Sequence, residues 1–331
     1  MKATRKLLVS LGACLVFATP AWALPFGALH AFGDSLSDAG DNPSAVLSIH
    51  ELIGGCDPLH PCPPYFGGRY SNGPVAAERL AEAILPGGAH PGNYFSFAVA
   101  GSTSGIGNFG DAGSAKAIGA HGLPGMAQQL LAYASTSGGA ADPNALYFVW
   151  GGGNDFLTAD SPVDAANDIA GYVATLAAMG ARHILVPNLP DLSHTPFARE
   201  AGLQAPAHAF SVQFNETLAT LLTGLDASLA ADIIAFDTFA LLDAVVANPA
   251  DFGFADAVHA CLASPATMCA DPGAFVFWDG FHPTTAAHAV IADAFADALA
   301  TAVPEPASLL LLAAGLAAGI ATLGSRGLPK R

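Results

Sequence analysis

The sequence predicts an α/β domain, a three-layer α/β/α sandwich built on a mostly parallel, five-stranded sheet. Three observations predict it. Five short apolar runs bounded by breakers recur along the chain. Longer helical stretches lie between or after them, and the segments that leave several runs are rich in Gly, Ser, Asn and Asp. Buried strands alternating with helices require crossovers on both faces of a parallel sheet. In such a sheet, function belongs at the carboxyl ends of the strands.

The strands are read at "GALHAFG" (27–33), "YFSFAVA" (94–100), "ALYFVW" (145–150), "HILVPN" (183–188) and "DIIAFD" (232–237). Each is a short apolar run closed by residues that stop a strand. Helices are expected over 74–84, 125–133, 163–179, 209–229 and 284–302. The third has a typical start, with Asp160 or Ser161 as cap and Pro162 near the first turn. Abundant Ala and Gly blur the periodicity, and the chain has no internal repeat.

Both ends carry processing signals. Residues 1–23 combine Lys2, Arg5 and Lys6, an apolar stretch from Leu7 to Phe17, and Ala21-Trp22-Ala23. A basic start, a short apolar core and an A-x-A site predict a secretory signal peptide cleaved after Ala23. Residues 304–331 begin Pro304-Glu305-Pro306, continue apolar from Ala307 to Leu323, and end with Arg326, Lys330 and Arg331. A helix of that apolar length reaches about 25 Å, near the thickness of a bilayer core. A C-terminal membrane anchor or cleavable sorting tail is expected. The order of triplet, span and basic end resembles PEP-CTERM sorting signals, which implies exosortase-type processing in a Gram-negative bacterium. The localisation expected is the cell envelope, cell surface or extracellular matrix, with membrane contact at least transiently.

Residues 24–303 then form one domain with ample core. They hold five of the 11 Lys and Arg and all but Glu305 of the 27 acids, so five minus 26 leaves −21. So acidic a surface argues against nucleic acid and against charge-driven adhesion to anionic lipid. A monomer acting on neutral substrates is expected.

Four cysteines follow the signal: Cys56, Cys62, Cys261 and Cys269. An oxidising compartment favours disulfides, most simply Cys56–Cys62 and Cys261–Cys269, although three connectivities are open. A zinc site using His50, Cys56, His60 and Cys62 is the competing reading, but the spacing fits no common zinc pattern.

Acyl transfer needs a nucleophile, a base, a group that orients the base, and donors for the oxyanion. Ser35, in "GDSLSDAGDN" after the first strand, is the candidate nucleophile and is expected to begin a helix. His282 is the candidate base, and Asp279, three residues earlier, can fix its tautomer. Donors to an oxyanion hole are the peptide N–H groups of Ser35 and Gly101 and the side-chain amide of Asn154. Gly101 lies in "GSTSGIGN" and Asn154 ends "GGGN". Read singly, Ser35 is a cap, Gly101 and Asn154 are turn residues, and Asp279–His282 is a surface pair.

Together they resemble the GDSL, or SGNH, hydrolase family, through "GDSLSDAGDN", "FAVAGSTS", "GGND" and "DGFHPT" in order. "PPYFGGRYSNGP" (63–74) and "CADPGAFVFWDGFHPT" resemble the lecithinase, haemolysin and plant-lipase-like branch. The resemblance implies a flavodoxin-like sandwich and a Ser-His-Asp esterase or lipase that requires no metal and no cofactor. It assigns the catalytic roles to Ser35, Asp279 and His282 and the oxyanion hole to Ser35, Gly101 and Asn154. It predicts activity that falls toward acid pH as the base takes up a proton.

Two other readings use the same residues differently: acyl transfer to a lipid or glycan acceptor, and a non-catalytic surface or exopolysaccharide-binding protein. Small-molecule, lipid and acetylated-glycan esters all remain open as substrates. Tyr65, Phe66, Tyr70, Phe109 and Phe156 flank the motifs and are candidates for an acyl pocket or for packing under loops.

Overall fold

In a computed structural model, residues 26–40, 62–264 and 267–302 are described. The signal segment, the C-terminal tail, His50, Cys56 and His60 lie outside them. Five parallel strands form the central sheet: β1 (Ala28–Gly33), β2 (Tyr94–Ser96), β3 (Ala145–Trp150), β4 (His183–Pro187) and β5 (Asp232–Phe236). Their spatial order is β2-β1-β3-β4-β5, so the chain reverses direction across the sheet between β2 and β3. That reversal lies beside β1, the strand that leads into Ser35.

Side-chain alternation along the strands divides the core into two layers. Tyr147 and Val149 of β3 face α2 (Met126–Thr136), α4 (Pro162–Met179) and α6 (Gln204–Asp226), meeting Tyr133, Val173 and Phe214. Leu146, Phe148 and Trp150 face α1 (Ala76–Ile84) and α8 (Thr285–Ala302), meeting Leu80 and Phe295. Every residue of β3 is buried, as expected for the middle strand of a sheet covered on both faces. Fully burying one such large apolar side chain contributes about 1.5–3 kcal/mol.

The predicted strands and helices form, with shifted ends. The second strand pairs only over Tyr94–Ser96, since residues 97–100 leave the sheet toward the site. Helix α4 starts as read: the Ser161 side chain accepts from the Asp164 N–H and Pro162 occupies the first turn.

The helix expected at Ser35 is, among the described residues, a single turn over 34–38, closed by Ser37 and Asp38 N–H groups on the Asp34 carbonyl. Two features stop it. The Asp38 carboxylate turns aside to accept from the Ala100 N–H at 2.7 Å and the Gly40 N–H at 2.8 Å. Gly40 then takes φ +59°, the left-handed region, where a Cβ would sit 2.1 Å from the Gly67 carbonyl oxygen.

Further elements build the wall near the last site motif. They include the short helices α3 (Gly153–Leu157) and α5 (Pro196–Glu200), helix α7 (Thr238–Ala247), and β6 (Asp256–Ala260) paired with β9 (Phe275–Phe277). A small hairpin of β7 (Leu262–Ser264) and β8 (Thr267–Met268) is closed by the Cys261–Cys269 disulfide. Cys62 is also disulfide-bonded.

Candidate active site

The carboxyl end of β1 delivers Ser35, and the turn after β9 delivers Asp279 and His282. Although 247 positions separate them, Ser35 Oγ lies 2.9 Å from His282 Nε2. His282 Nδ1 lies 2.8 Å from both carboxylate oxygens of Asp279. A carboxylate only accepts, so Nδ1 carries the imidazole proton and the Nε2 lone pair faces the serine hydroxyl.

The Asp279 carboxylate is unusually well supplied with donors. Its Oδ1 accepts from the backbone N–H groups of Phe281 and His282 at 2.9 and 2.8 Å. Its Oδ2 accepts from the Tyr65 hydroxyl at 2.8 Å. Burial works to raise this acid's pKa, but the His282 ring and the two backbone N–H bonds outweigh it and hold the carboxyl below the usual range. The turn is pinned from outside as well. Trp278 N–H donates to the His282 carbonyl at 2.7 Å, and Phe197 N–H donates to the Gly280 carbonyl at 2.9 Å.

Tyr65 was among the aromatics considered for an acyl pocket; the structure places it elsewhere. It is buried with Cys261, Leu262 and Trp278, its ring edge-on to Trp278 at 6.0 Å. Tyr70 lies 5.1 Å from the His282 ring, Phe156 packs on Phe210, and Phe66 and Phe109 are exposed. A phenol bonding a carboxylate 214 positions away has no local signature, so sequence reasoning could not assign it.

The oxyanion candidates Gly101 and Asn154 follow β2 and β3, the two strands that flank β1 in the sheet. Gly101 takes φ +77°, and a Cβ there would come within 2.4 Å of Asn108 Oδ1. Asn108 is a further residue the sequence did not single out. Its amide donates to the Ala100 and Pro124 carbonyls at 2.8 and 3.1 Å, holding the loop around Gly101. Gln129 on α2 brackets the end of β1, donating to the Gly33 carbonyl and accepting from the Gly33 N–H. One Asn154 N–H donates to the Ser102 carbonyl at 2.9 Å, leaving its second hydrogen. Among the described residues, the Ser35 and Gly101 N–H groups donate to no protein acceptor.

Asp155, beside Asn154, forms a buried cluster with Ser104. The single hydroxyl of Ser104 lies 2.7 Å from Asp155 Oδ1 and 2.9 Å from Asp168 Oδ2. Burial pushes Asp155 up to about 7, the bonds from Ser104 only partly opposing it, and burial also raises Asp168. Asp34, fully enclosed beside Ser35, is likewise raised by burial to about 6.

Two other histidines are excluded as the base by their settings. Burial lowers His30 to about 4 and His288 to about 3, and His288 Nδ1 accepts from the Ala76 N–H. Among the described residues, Asp191, His194 and Asp243 offer atoms within 4.8 Å of one another. Arg199 donates to His194 Nδ1 at 3.2 Å, which places the ring proton on Nε2 toward Asp243 at 2.8 Å. That arrangement leaves His194 no lone pair for a metal, and the group is a hydrogen-bonded network.

The sheet order and this hydrogen-bonded row define the α/β class in which a serine is set beside an oriented histidine. Residues 29–295 match the family model described as GDSL-like lipase/acylhydrolase. The chain therefore belongs to the GDSL-like lipase/acylhydrolase family. Residues 302–326 match the PEP-CTERM protein-sorting motif.

A Pseudomonas putida protein described as uncharacterized, from the trpE-trpG intergenic region, is 32% identical over 86% of this chain and 50% of its own length. This chain thus spans half of that relative. A GDSL esterase/lipase of Arabidopsis thaliana is 29% identical over 80% of this chain and 87% of its own. Among solved structures, a carbohydrate acetylesterase family member from Sinorhizobium meliloti aligns over 84% of this chain and 99% of its own, at 17% identity and a TM-score of 0.45.

Proposed function

We propose that this protein is an exported serine esterase that cleaves carboxylic esters through an acyl-enzyme on Ser35. The observation that carries the reading is the row Ser35 Oγ, His282 Nε2, His282 Nδ1, Asp279, with neighbouring contacts of 2.9 and 2.8 Å. His282 takes the Ser35 proton as Oγ attacks the ester carbonyl. Asp279 stabilises the imidazolium that forms. The peptide N–H groups of Ser35 and Gly101 and the second Asn154 N–H receive the oxyanion. His282 returns the proton to the departing alcohol, and water repeats the sequence on the acyl-enzyme.

The sorting motif supports a location at the envelope or cell surface, with the signal segment directing export and the tail processed by an exosortase-type enzyme. The test is turnover of p-nitrophenyl acetate and butyrate by the purified full chain beside its Ser35→Ala variant. Turnover in the parent and its loss in a folded variant are expected. A folded parent inert toward every ester would overturn the reading.

A further inference from the structure

We propose that Gln129 is a positioning residue for the ester reaction: its one buried amide sets the mutual spacing of the proposed oxyanion donors, the Ser35 and Gly101 N–H groups and the Asn154 side chain. The inference rests on the esterase reading above. These donors leave three different strand ends, after β1, β2 and β3. They stabilise an oxyanion only where they converge on one point, and misplacing a reacting group by about 1 Å can cost about 10²-fold in rate.

The sheet itself does not supply the clamp. Leu29 N–H donates to the Asn93 carbonyl, and the Ala31 carbonyl accepts from Phe97 N–H, so alternate residues of β1 bond toward β2. Gly33 is next in that series, but β2 ends at Ser96 and the chain turns away toward Gly101. Val99 N–H still reaches the Gly33 carbonyl at 3.2 Å. The Gly33 N–H is met by Gln129 Oε1 at 2.9 Å instead, and Gln129 Nε2 donates to the Gly33 carbonyl at 2.7 Å. A buried backbone N–H needs such a partner.

The same amide reaches the other donors. Gln129 Nε2 also donates to Ser102 Oγ at 3.0 Å, on the residue that follows Gly101. The Ser102 hydroxyl donates onward to the Pro124 carbonyl at 2.8 Å, and the Ser102 carbonyl accepts from Asn154 at 2.9 Å. Gln129 thus holds the backbone two residues before Ser35 and one after Gly101, and it joins Asn154 through Ser102. The side chain is wholly buried. A primary amide presents two donors and an acceptor in one plane, and an ionised glutamate of the same shape presents no donor. The first turn of α2 is docked on the Gly101 loop, where Met126 N–H donates to the Thr103 carbonyl at 3.0 Å and Ala127 N–H to the Gly105 carbonyl at 3.1 Å. Helix and loop form one unit, and Gln129 ties that unit to β1.

The test uses the purified full chain and two substitutions. Gln129→Met keeps the length of the side chain and removes all three bonds, so kcat on p-nitrophenyl butyrate should fall about 10²-fold with KM within about twofold. Ser102→Ala removes only the hydroxyl that receives the second N–H, and the Pro124 carbonyl keeps the Asn108 amide. Its kcat should fall about tenfold, and it carries the test if Gln129→Met does not fold.

A trifluoromethyl ketone supplies a readout that a packing role would not move. Ser35 Oγ adds to its carbonyl carbon, the hydroxyl proton passes to His282, and the carbonyl electron pair becomes an oxyanion. In each folded variant the ketone's inhibition constant should rise by the factor that kcat/KM loses. Inhibition by the secondary alcohol of the same skeleton, which forms no oxyanion, should stay within about twofold. Unchanged kcat in the folded variants, a loss confined to KM, or a loss of kcat with the ketone's inhibition constant unmoved overturns the inference alone. A parent inert toward every ester overturns the esterase reading and this inference with it.

Discussion

The Tyr65 hydroxyl donates to Oδ2 of Asp279 at 2.8 Å, joining a loop near the start of the domain to the turn that carries His282. A hydrogen bond to a charged group is worth roughly 1.5–3 kcal/mol. Tyr65→Phe removes the donor and keeps the ring. In the proposed mechanism it should lower kcat about tenfold while leaving KM for the ester in place, because the ring touches no substrate. Steady-state kinetics on p-nitrophenyl butyrate check this. A change confined to KM would show that Tyr65 does not act through Asp279.

Replacing members of the hydrogen-bonded row should be far more costly. Asp279→Asn leaves the turn's shape but favours the wrong tautomer of His282, so kcat is expected to fall about 10⁴-fold. Ser35→Ala should lose at least as much. Both variants should keep the parent's circular dichroism, which separates chemistry from folding.

The proposed oxyanion donors differ in what their loss does. Asn154→Ala deletes one side-chain donor, and kcat should drop about 10²–10³-fold with little change in melting temperature. Gly101→Ala puts a methyl 2.4 Å from Asn108 Oδ1 at φ +77°, so melting temperature and kcat should fall together. Differential scanning calorimetry beside kinetics distinguishes the two patterns.

Asp155 makes stability depend on pH with a definite sign. Its carboxyl, ordinarily near 3.8, is raised by burial to about 7 in the folded chain. Between those values the folded state holds more protons than the unfolded state, so stability falls as pH rises through that window. Asp34, raised to about 6, acts in the same direction. Asp155→Asn imitates the protonated acid and should flatten the decline in melting temperature between pH 5 and pH 8. Parallel declines in parent and variant would assign the slope to other groups.

The Cys261–Cys269 disulfide closes a loop with a sequence separation of 8 beside Tyr65 and Trp278. Replacing both cysteines by Ala should lower unfolding free energy by about 2–3 kcal/mol, read from denaturant midpoints. Because Cys261 packs against the phenol that holds Asp279, kcat should fall as well.

Much of the fold was legible in the residue pattern. The run 145–150 reads as a strand over its full length because it is apolar throughout and closed by glycines. Ser161-Pro162 marks the start of α4 because cap and proline act locally. Helix α7 and the β6–β9 pair were not legible. Their apolar residues pack on one another from distant segments, and β6 and β9 pair only at Asp256–Phe275 and Ala260–Phe277. The local sequence at Ser35 favours a helix where the structure has a turn, because the competing partner of Asp38, the Ala100 N–H, comes from beyond β2.

By itself the sequence determined the alternation that makes a parallel sheet, and the order of the blocks around Ser35, Gly101, Asn154 and His282. Those features depend on neighbours in the chain. Only the tertiary structure decided that Tyr65 holds Asp279, that Asn108 holds the loop around Gly101 and Gln129 the end of β1, and that Leu36, Val245 and Val290 face one chamber. Each of these joins residues far apart along the chain, and such contacts exist only once the sheet and its covering helices have set the distances between them.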